Sequence, residues 1–195
     1  MLNRAFPQGS VIVSDRVLEA VGILDRQFVD IAVVDPRLPD GSGLHVIQRC
    51  FRSSPLTRSV LTLAQDDEVY LMEALAAGAV GYLLENQPDA VLIRQLQLLA
   101  EGIPPLAPSV AERLLHYFTA RTMPSRMNAA DVVSLAKEEE RVLTLIALGR
   151  QIGDVAQLLD VSTDDVCGHV KSVYLKRHLA SRAEDAGELR YSSVA

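Results

Sequence analysis

The order of apolar runs in this chain predicts an α/β unit with a short parallel sheet, followed by an all-helical unit. Three observations carry that expectation. Ile31-Ala32-Val33-Val34 is an unbroken apolar run that ends in one carboxylate, Asp35, and then in a turn rich in proline and glycine, Pro36 to Gly43. Such runs suit strands covered by helices on both faces, and open parallel sheets place their working residues just past the strands' carboxyl ends. Strand-like and helix-like segments then alternate to about residue 103, the pattern of βαβ units. Beyond residue 131 only helical periods occur, with one sharp turn between two of them.

The chain has 195 residues, 49% of them hydrophobic, which suits two small domains. Its net charge of −6 and the lack of any strongly basic region count against a tight non-specific hold on nucleic acid, because that hold scales with the phosphates neutralised by Lys and Arg. Cys50 and Cys167 fall in unrelated segments without metal-ligand spacing, so reduced thiols and no metal site are expected. The sequence shows no export-signal pattern, and no apolar run reaches the ~18 residues a membrane span needs. The expectation is a soluble, cytoplasmic protein without membrane contact.

Residues 1–9 have little pattern. Ser10 to Ser14 is a β-branched strand candidate, and Asp15 can cap a helix to about Arg26 with Val17, Leu18, Val21 and Leu24 inward. After the Asp35 strand, a helix is expected from Gly43 to about Arg52, a strand over Ser59 to Ala64, and a helix from Asp66 to about Ala77 with acids in its first turn. Ala79 to Glu85 reads as the last strand, which makes four strands. Pro88 opens a helix to about Gly102, and Ser109 caps another through about Phe118. Residues 119–130, with Pro124 and few large apolar side chains, read as linker. The boundaries expected are 1–103 for the α/β unit, 104–130 for a helical linker and 131–195 for the helical unit.

In that last unit a helix ends at Gly149, another runs from Ile152 to Leu159, and a third from Thr163 to about His178. Val155, Ala156 and Leu159 should be buried, Val161 should fill the turn, Ser162 should cap the third helix, and Val166, Val170 and Val173 should face inward. Two short helices crossing at a three- or four-residue turn form a helix-turn-helix, whose second helix enters the DNA major groove.

The strand end Val33-Val34-Asp35 with the Leu38 to Leu44 turn, and the later Gly81-Tyr82-Leu83-Leu84, resemble the receiver domain of response regulators. The stretch with Glu139, Val142, Leu143, Gly149, Val155, Ala156, Leu159, Val161, Ser162, Val166, His169, Val170, Lys176, Ser181, Arg182 and Ala183 resembles the DNA-binding domain of the LuxR/NarL/FixJ class. The resemblance implies a receiver-like, flavodoxin-like α/β unit with a shortened parallel sheet, joined to an all-α LuxR-type helix-turn-helix. It makes Asp35 the phospho-acceptor position and Tyr82 the position of the receiver's switch aromatic. Asp35 as a plain turn cap and Tyr82 as plain packing fit the residues equally well.

The chain departs from the family at several points. It has room for one strand-helix unit before the acceptor strand where a receiver has two, so Val11 onward matches either the family's second strand and helix or, through Ser14-Asp15, a remnant of its acidic pair. Leu63 stands where receivers place a hydroxyl, and Thr62, one residue away, faces the other side of the strand. Glu85 replaces the lysine that would pair with the phosphorylated aspartate. Either the reversed charge repels a phosphoryl group or Glu85 points to solvent. In the reading helix, Cys167 replaces a common lysine and Gly168 sits in a helix interior. Contacts to DNA are expected from Ser162, Thr163, Cys167, Gly168, Lys171, Lys176, Arg177 and Arg182. His169 reads as a structural residue, not a ligand, and a redox role for Cys167 would need a depressed pKa.

These readings lead to a non-enzymatic, DNA-binding transcriptional regulator, controlled by dimerisation or partner binding and not by standard phosphorylation of Asp35. Its partners would be double-stranded DNA, a second copy of the chain, and a sensor kinase or another regulator. No cofactor is expected, and Mg²⁺ enters only if a phosphorylation-dependent switch on Asp35 holds instead. A third reading is an antagonist of a related regulator that no longer reads DNA.

Overall fold

The computed structural model describes residues 1–64, 68–121 and 133–192. The chain divides into two compact units, Met1–Pro105 and Leu106–Ala195.

The first unit contains α1 (Leu2–Ala5), α2 (Val17–Arg26), β1 (Ile31–Val34), β2 (Arg37–Leu38), β3 (Gly41–Ser42), α3 (Leu44–Ser53), β4 (Arg58–Leu63), α4 (Glu68–Ala77), β5 (Tyr82–Leu84) and α5 (Asp89–Ala100). Strands β1, β4 and β5 form a parallel sheet in that order, with Val34 beside Leu61 and Leu63 beside Leu84. Strands β2 and β3 form a small antiparallel ladder inside the turn that follows Asp35. On one face of the sheet, Val60 and Leu83 pack with Ala5, Leu92, Leu96 and Leu99 of α1 and α5. Alternation turns Leu61 and Leu63 the other way, toward the side where α3 and α4 meet β4.

Three strands, not four, make up this sheet among the described residues. Ser10 to Ser14 joins no ladder, and Val11, Ile12 and Val13 are exposed. A β-branched run fits a pleated, half-buried surface, but it specifies a strand only where a neighbour supplies the ladder and the burial. The start of α2 is a second correction: its cap residue is Arg16 and not Asp15, and no local side chain caps it. Leu18 is a third, since it lies outside the buried stripe at 80% exposure while Val17 is buried.

Gly78 ends α4 with φ +107, a backbone region costly to L side chains, and a Cβ there would meet the Phe51 ring at 2.6 Å. That close approach seats the loop before β5 on α3. The expected starts of α4 at Asp66 and Asp67 lie outside the described residues.

The second unit contains α6 (Pro108–Arg121), α7 (Lys137–Ala147), α8 (Ile152–Leu159) and α9 (Thr163–Ser192). Helix α6, which falls in the expected linker, packs on α7, and its Val110, Ala111, Leu114 and Phe118 are buried. Residues 122–130 of that linker lie outside the described residues. Asp160, in the left-handed region at φ 56, turns the chain from α8 into α9, where Ser162 and Asp165 bond reciprocally. Val155, Ala156, Val166, Val170 and Val173 are buried as the periodicity requires. Leu159 is only half-buried and Val161 is 41% exposed, so the turn is closed by backbone and not by a plug of side chain. Helix α9 also runs past the expected end near His178, through an Ala-, Glu- and Leu-containing stretch without proline that favours helix.

Candidate acceptor pocket and nucleic-acid interface

Asp35 stands directly after β1, at the carboxyl edge of the sheet. Its Oδ1 accepts a hydrogen bond from the Arg37 amide at 2.8 Å, the local turn that aspartate forms with backbone two residues on. Gly43 is a close neighbour: its N–H donates to the Pro36 carbonyl at 3.0 Å, and a Cβ there would lie 1.9 Å from the Asp35 carbonyl oxygen. No other residue fits that contact. The second glycine of Gly41-Ser42-Gly43 is therefore a packing requirement of the acceptor turn.

The same turn is tied to α2. Asp40 Oδ1 accepts from the Val17 amide at 2.7 Å and Oδ2 from the Leu18 amide at 3.2 Å, which supplies the cap that α2 lacks locally. These backbone bonds, that from Val17 foremost, hold the Asp40 carboxyl below its ordinary pKa. Asp40 was not legible as a cap in the sequence, because its partners lie more than twenty residues upstream.

Around Asp35 the expected departures take definite positions. Leu63 is buried at 2% exposure beside Leu84, so an alkyl group occupies the position where the family resemblance implies a hydroxyl. Thr62 is half-buried, and its hydroxyl reaches only to the Val34 carbonyl at 3.5 Å. Glu85 is exposed, and its amide donates to the Leu63 carbonyl at 2.8 Å. Tyr82 is buried within β5, beside Leu61. Among the described residues no three His, Cys, Asp or Glu side chains gather as a metal ion requires.

In the second unit a buried carboxylate organises the reader. Glu139 is 3% exposed; its Oε1 accepts from the Ser172 hydroxyl at 2.7 Å, and its Oε2 from the Ala136 amide at 2.7 Å and from Lys176 Nζ at 2.6 Å. Lys176 Nζ also donates to the Ser134 carbonyl at 3.0 Å. Burial pushes the Glu139 pKa up, but the bonds from Lys176, Ser172 and the Ala136 amide outweigh it and hold the carboxyl below its ordinary value. Arg177 is also turned inward: its guanidinium lies 4.3 Å from the Tyr117 ring centroid on α6 and donates to the Tyr117 hydroxyl at 3.3 Å.

The basic side expected on the reading helix is thus divided. Lys171 faces outward, whereas Lys176 and Arg177 serve contacts to α7 and α6. Five- and six-residue steps along an α-helix rotate about 140° and 240°, so the three cations cannot share a face. Cys167 is buried at 3% exposure and is not on the outer surface. Burial, foremost, raises its pKa, the opposite direction from the depressed value a redox thiol needs. Ser162, Thr163, Asp164, Gly168 and Lys171 are exposed, and His169 is half-buried. The side chain of Arg182 lies outside the described residues.

Residues 4–97 match the response regulator receiver domain. The oxygen regulatory protein NreC of Staphylococcus carnosus is 32% identical over 157 residues, covering 80% of this chain and 72% of that protein. This chain belongs to the response regulator family. The NreC protein of Staphylococcus aureus is 31% identical over the same shares. A solved structure of an RcsB–DNA complex is 19% identical and covers 94% of this chain and 90% of that one, with a TM-score of 0.48. The kinship places the protein in the LuxR/NarL/FixJ class of response regulators, with a receiver-like parallel sheet followed by a helical C-terminal region.

Within this response regulator the residues that sequence reading missed as structural supports are Asp40, Tyr117 and the inward course of Lys176 and Arg177. Glu139 was legible only as part of the family pattern, since Glu138-Glu139-Glu140 reads as a uniformly acidic first turn. Apart from that pattern, helical period could have found it: Glu139 falls three residues before Val142 and four before Leu143, on the inward stripe.

Proposed function

We propose that this response regulator is a DNA-binding transcriptional regulator whose receiver-like unit acts through dimerisation or partner binding and not through phosphorylation of Asp35. Asp35 itself supports this most directly: its carboxylate is held by the Arg37 amide, with an alkyl side chain at Leu63 and an exposed acid at Glu85 instead of a hydroxyl and a cation. Phosphoryl transfer to a carboxylate needs positive charge to neutralise what develops on the moving group, and neither Leu63 nor Glu85 supplies it.

DNA reading is supported by the α8–turn–α9 arrangement with Ser162, Thr163, Gly168 and Lys171 on its outward side. Two copies binding adjacent half-sites would compensate for the few outward cations, because linked contacts add avidity.

Incubation with Mg²⁺ and beryllium fluoride or a small phosphodonor should give no mass shift and no change in Tyr82 fluorescence. A change abolished by Asp35→Asn would establish the phosphorylated switch instead. Binding to a duplex carrying paired half-sites should weaken steeply with salt and fall on Lys171→Ala. A second reading, an antagonist that no longer holds DNA, draws on the inward turn of Lys176 and Arg177 and the exposed Asp164. It stands if no salt-dependent binding is seen while the chain still pairs with a related regulator.

A further inference from the structure

Strand β1 bonds to β4 along one edge, and its other edge meets no strand among the described residues. The Asp30 carbonyl accepts from the Arg58 amide, so alternation turns the N–H and C=O groups of Ile31 and Val33 toward the open edge. Ile31-Ala32-Val33-Val34 carries none of the charges or prolines that commonly blunt a free edge. The segments around it are short of cover as well. Val17 is buried in α2, but Val21, Ile23 and Leu24 are only half-buried. Val11, Ile12, Val13, Leu18, Phe28 and Leu56 are exposed, Val13 at 83%, whereas in the rest of the described part of this unit the exposed large apolar side chains are Met1 and Val91. The six present roughly 600 Å² of apolar surface, at ~150–200 Å² for a fully exposed side chain of their size, and the open strand backbone brings this near the ~800 Å² per partner of a specific interface.

Each copy of the chain thus holds an edge that lacks a strand and, in Ser10 to Ser14, a β-branched run that lacks a ladder. We infer that the Ser10–Ser14 run of a second copy adds antiparallel to the free edge of β1, each copy giving one strand and accepting one, so that two receiver-like units associate through paired backbone. Charge selects the direction. With Ser10 opposite Val34 and Ser14 opposite Asp30, Val11 and Val13 meet the outward groups of Val33 and Ile31, and Arg16 lies diagonal to Asp30, within reach of its carboxylate. The parallel setting of the same apolar residues puts Asp15 against Asp35. Within one chain the single helix α2 between the two segments brings them parallel, which is why the antiparallel partner is another copy. A two-fold axis makes the two additions identical. The inference rests on the reading that the receiver-like unit acts by association, and it names the surface and the pairing.

The test uses the full chain. Sedimentation should show a dimer that dissociates on dilution, with the Ile31 and Val33 amides exchanging about tenfold or more slowly in the dimer than in the diluted chain. Val13→Lys should weaken the dimer about 30-fold or more, the order of a hot-spot loss, and leave the circular dichroism and thermal midpoint of the diluted chain unchanged, because Val13 is exposed there. Arg16→Glu should weaken it about 3- to 10-fold, and adding Asp30→Arg to that variant should restore it, a rescue that loss of local structure would not give. A dimer indifferent to Val13→Lys, with Ile31 and Val33 exchanging fast, would overturn the inference and leave the association reading standing. Slow exchange at Ile31 and Val33 in a monomer would assign the edge to the chain's own run and overturn it too. A concentration-independent monomer that takes a phosphoryl group on Asp35 would end both the inference and the reading beneath it.

Discussion

Glu139→Ala tests the reader most sharply, since it removes the carboxylate at the centre of the second unit. The structure supplies the magnitude. Three donors lose their acceptor: the Ala136 amide, the Ser172 hydroxyl and Lys176 Nζ. Breaking a fully buried ion pair from one side costs about 3–5 kcal/mol, since a charge is left without its partner. Here the Lys176 side chain is 25% exposed, so water can take up part of that charge, and its bond to the Ser134 carbonyl remains. The net loss should be about 2–4 kcal/mol, toward the lower end of that range if Ser172 finds water.

Amide hydrogen exchange in the full chain reads this unit by unit. Exchange at Val170 and Val173 should accelerate about 30- to 700-fold in the variant, given a factor of ten per ~1.4 kcal/mol. Exchange at Leu61 and Leu83 of the first unit should not change. The pH dependence has a fixed sign. The folded pKa of Glu139 is depressed, so its contribution is fully present above the unfolded carboxyl value and is lost as pH falls through the lower folded value. Acceleration below about fivefold, or equal acceleration in both units, would refute the claim that this carboxylate organises the reader; fivefold corresponds to ~1 kcal/mol.

Three further outcomes follow from the first unit and the thiols. Asp40→Ala should speed exchange of the Val17 and Leu18 amides, which the carboxylate accepts from; in the unchanged chain the same cap is present above the ordinary carboxyl range and is lost as pH falls through the depressed folded pKa of Asp40. Gly43→Ala should destabilise the first unit by ~3 kcal/mol or more in urea unfolding, because the new Cβ would sit 1.9 Å from the Asp35 carbonyl oxygen and backbone must move. Neither Cys50, whose thiol is pushed up to about 11 by burial, nor Cys167 should react with a disulfide reagent at pH 8 in the native chain, and both should react in urea.

By itself the sequence determined the α/β unit, the helix-turn-helix and the identity of the departures at Leu63 and Glu85, because each follows from local period, turn chemistry or an ordered run of residue types. Those signals act over a few residues, so one chain displays them directly. Tertiary structure alone decided that Ser10 to Ser14 joins no sheet, that Asp40 caps a helix twenty-odd residues upstream, and that Lys176 and Arg177 turn inward to Glu139 and Tyr117. The physical reason is common to all three. A ladder, a cap at a distance and a buried ion pair each need a partner that is remote in sequence, and neither composition nor period records where a remote partner will stand once the chain has closed on itself.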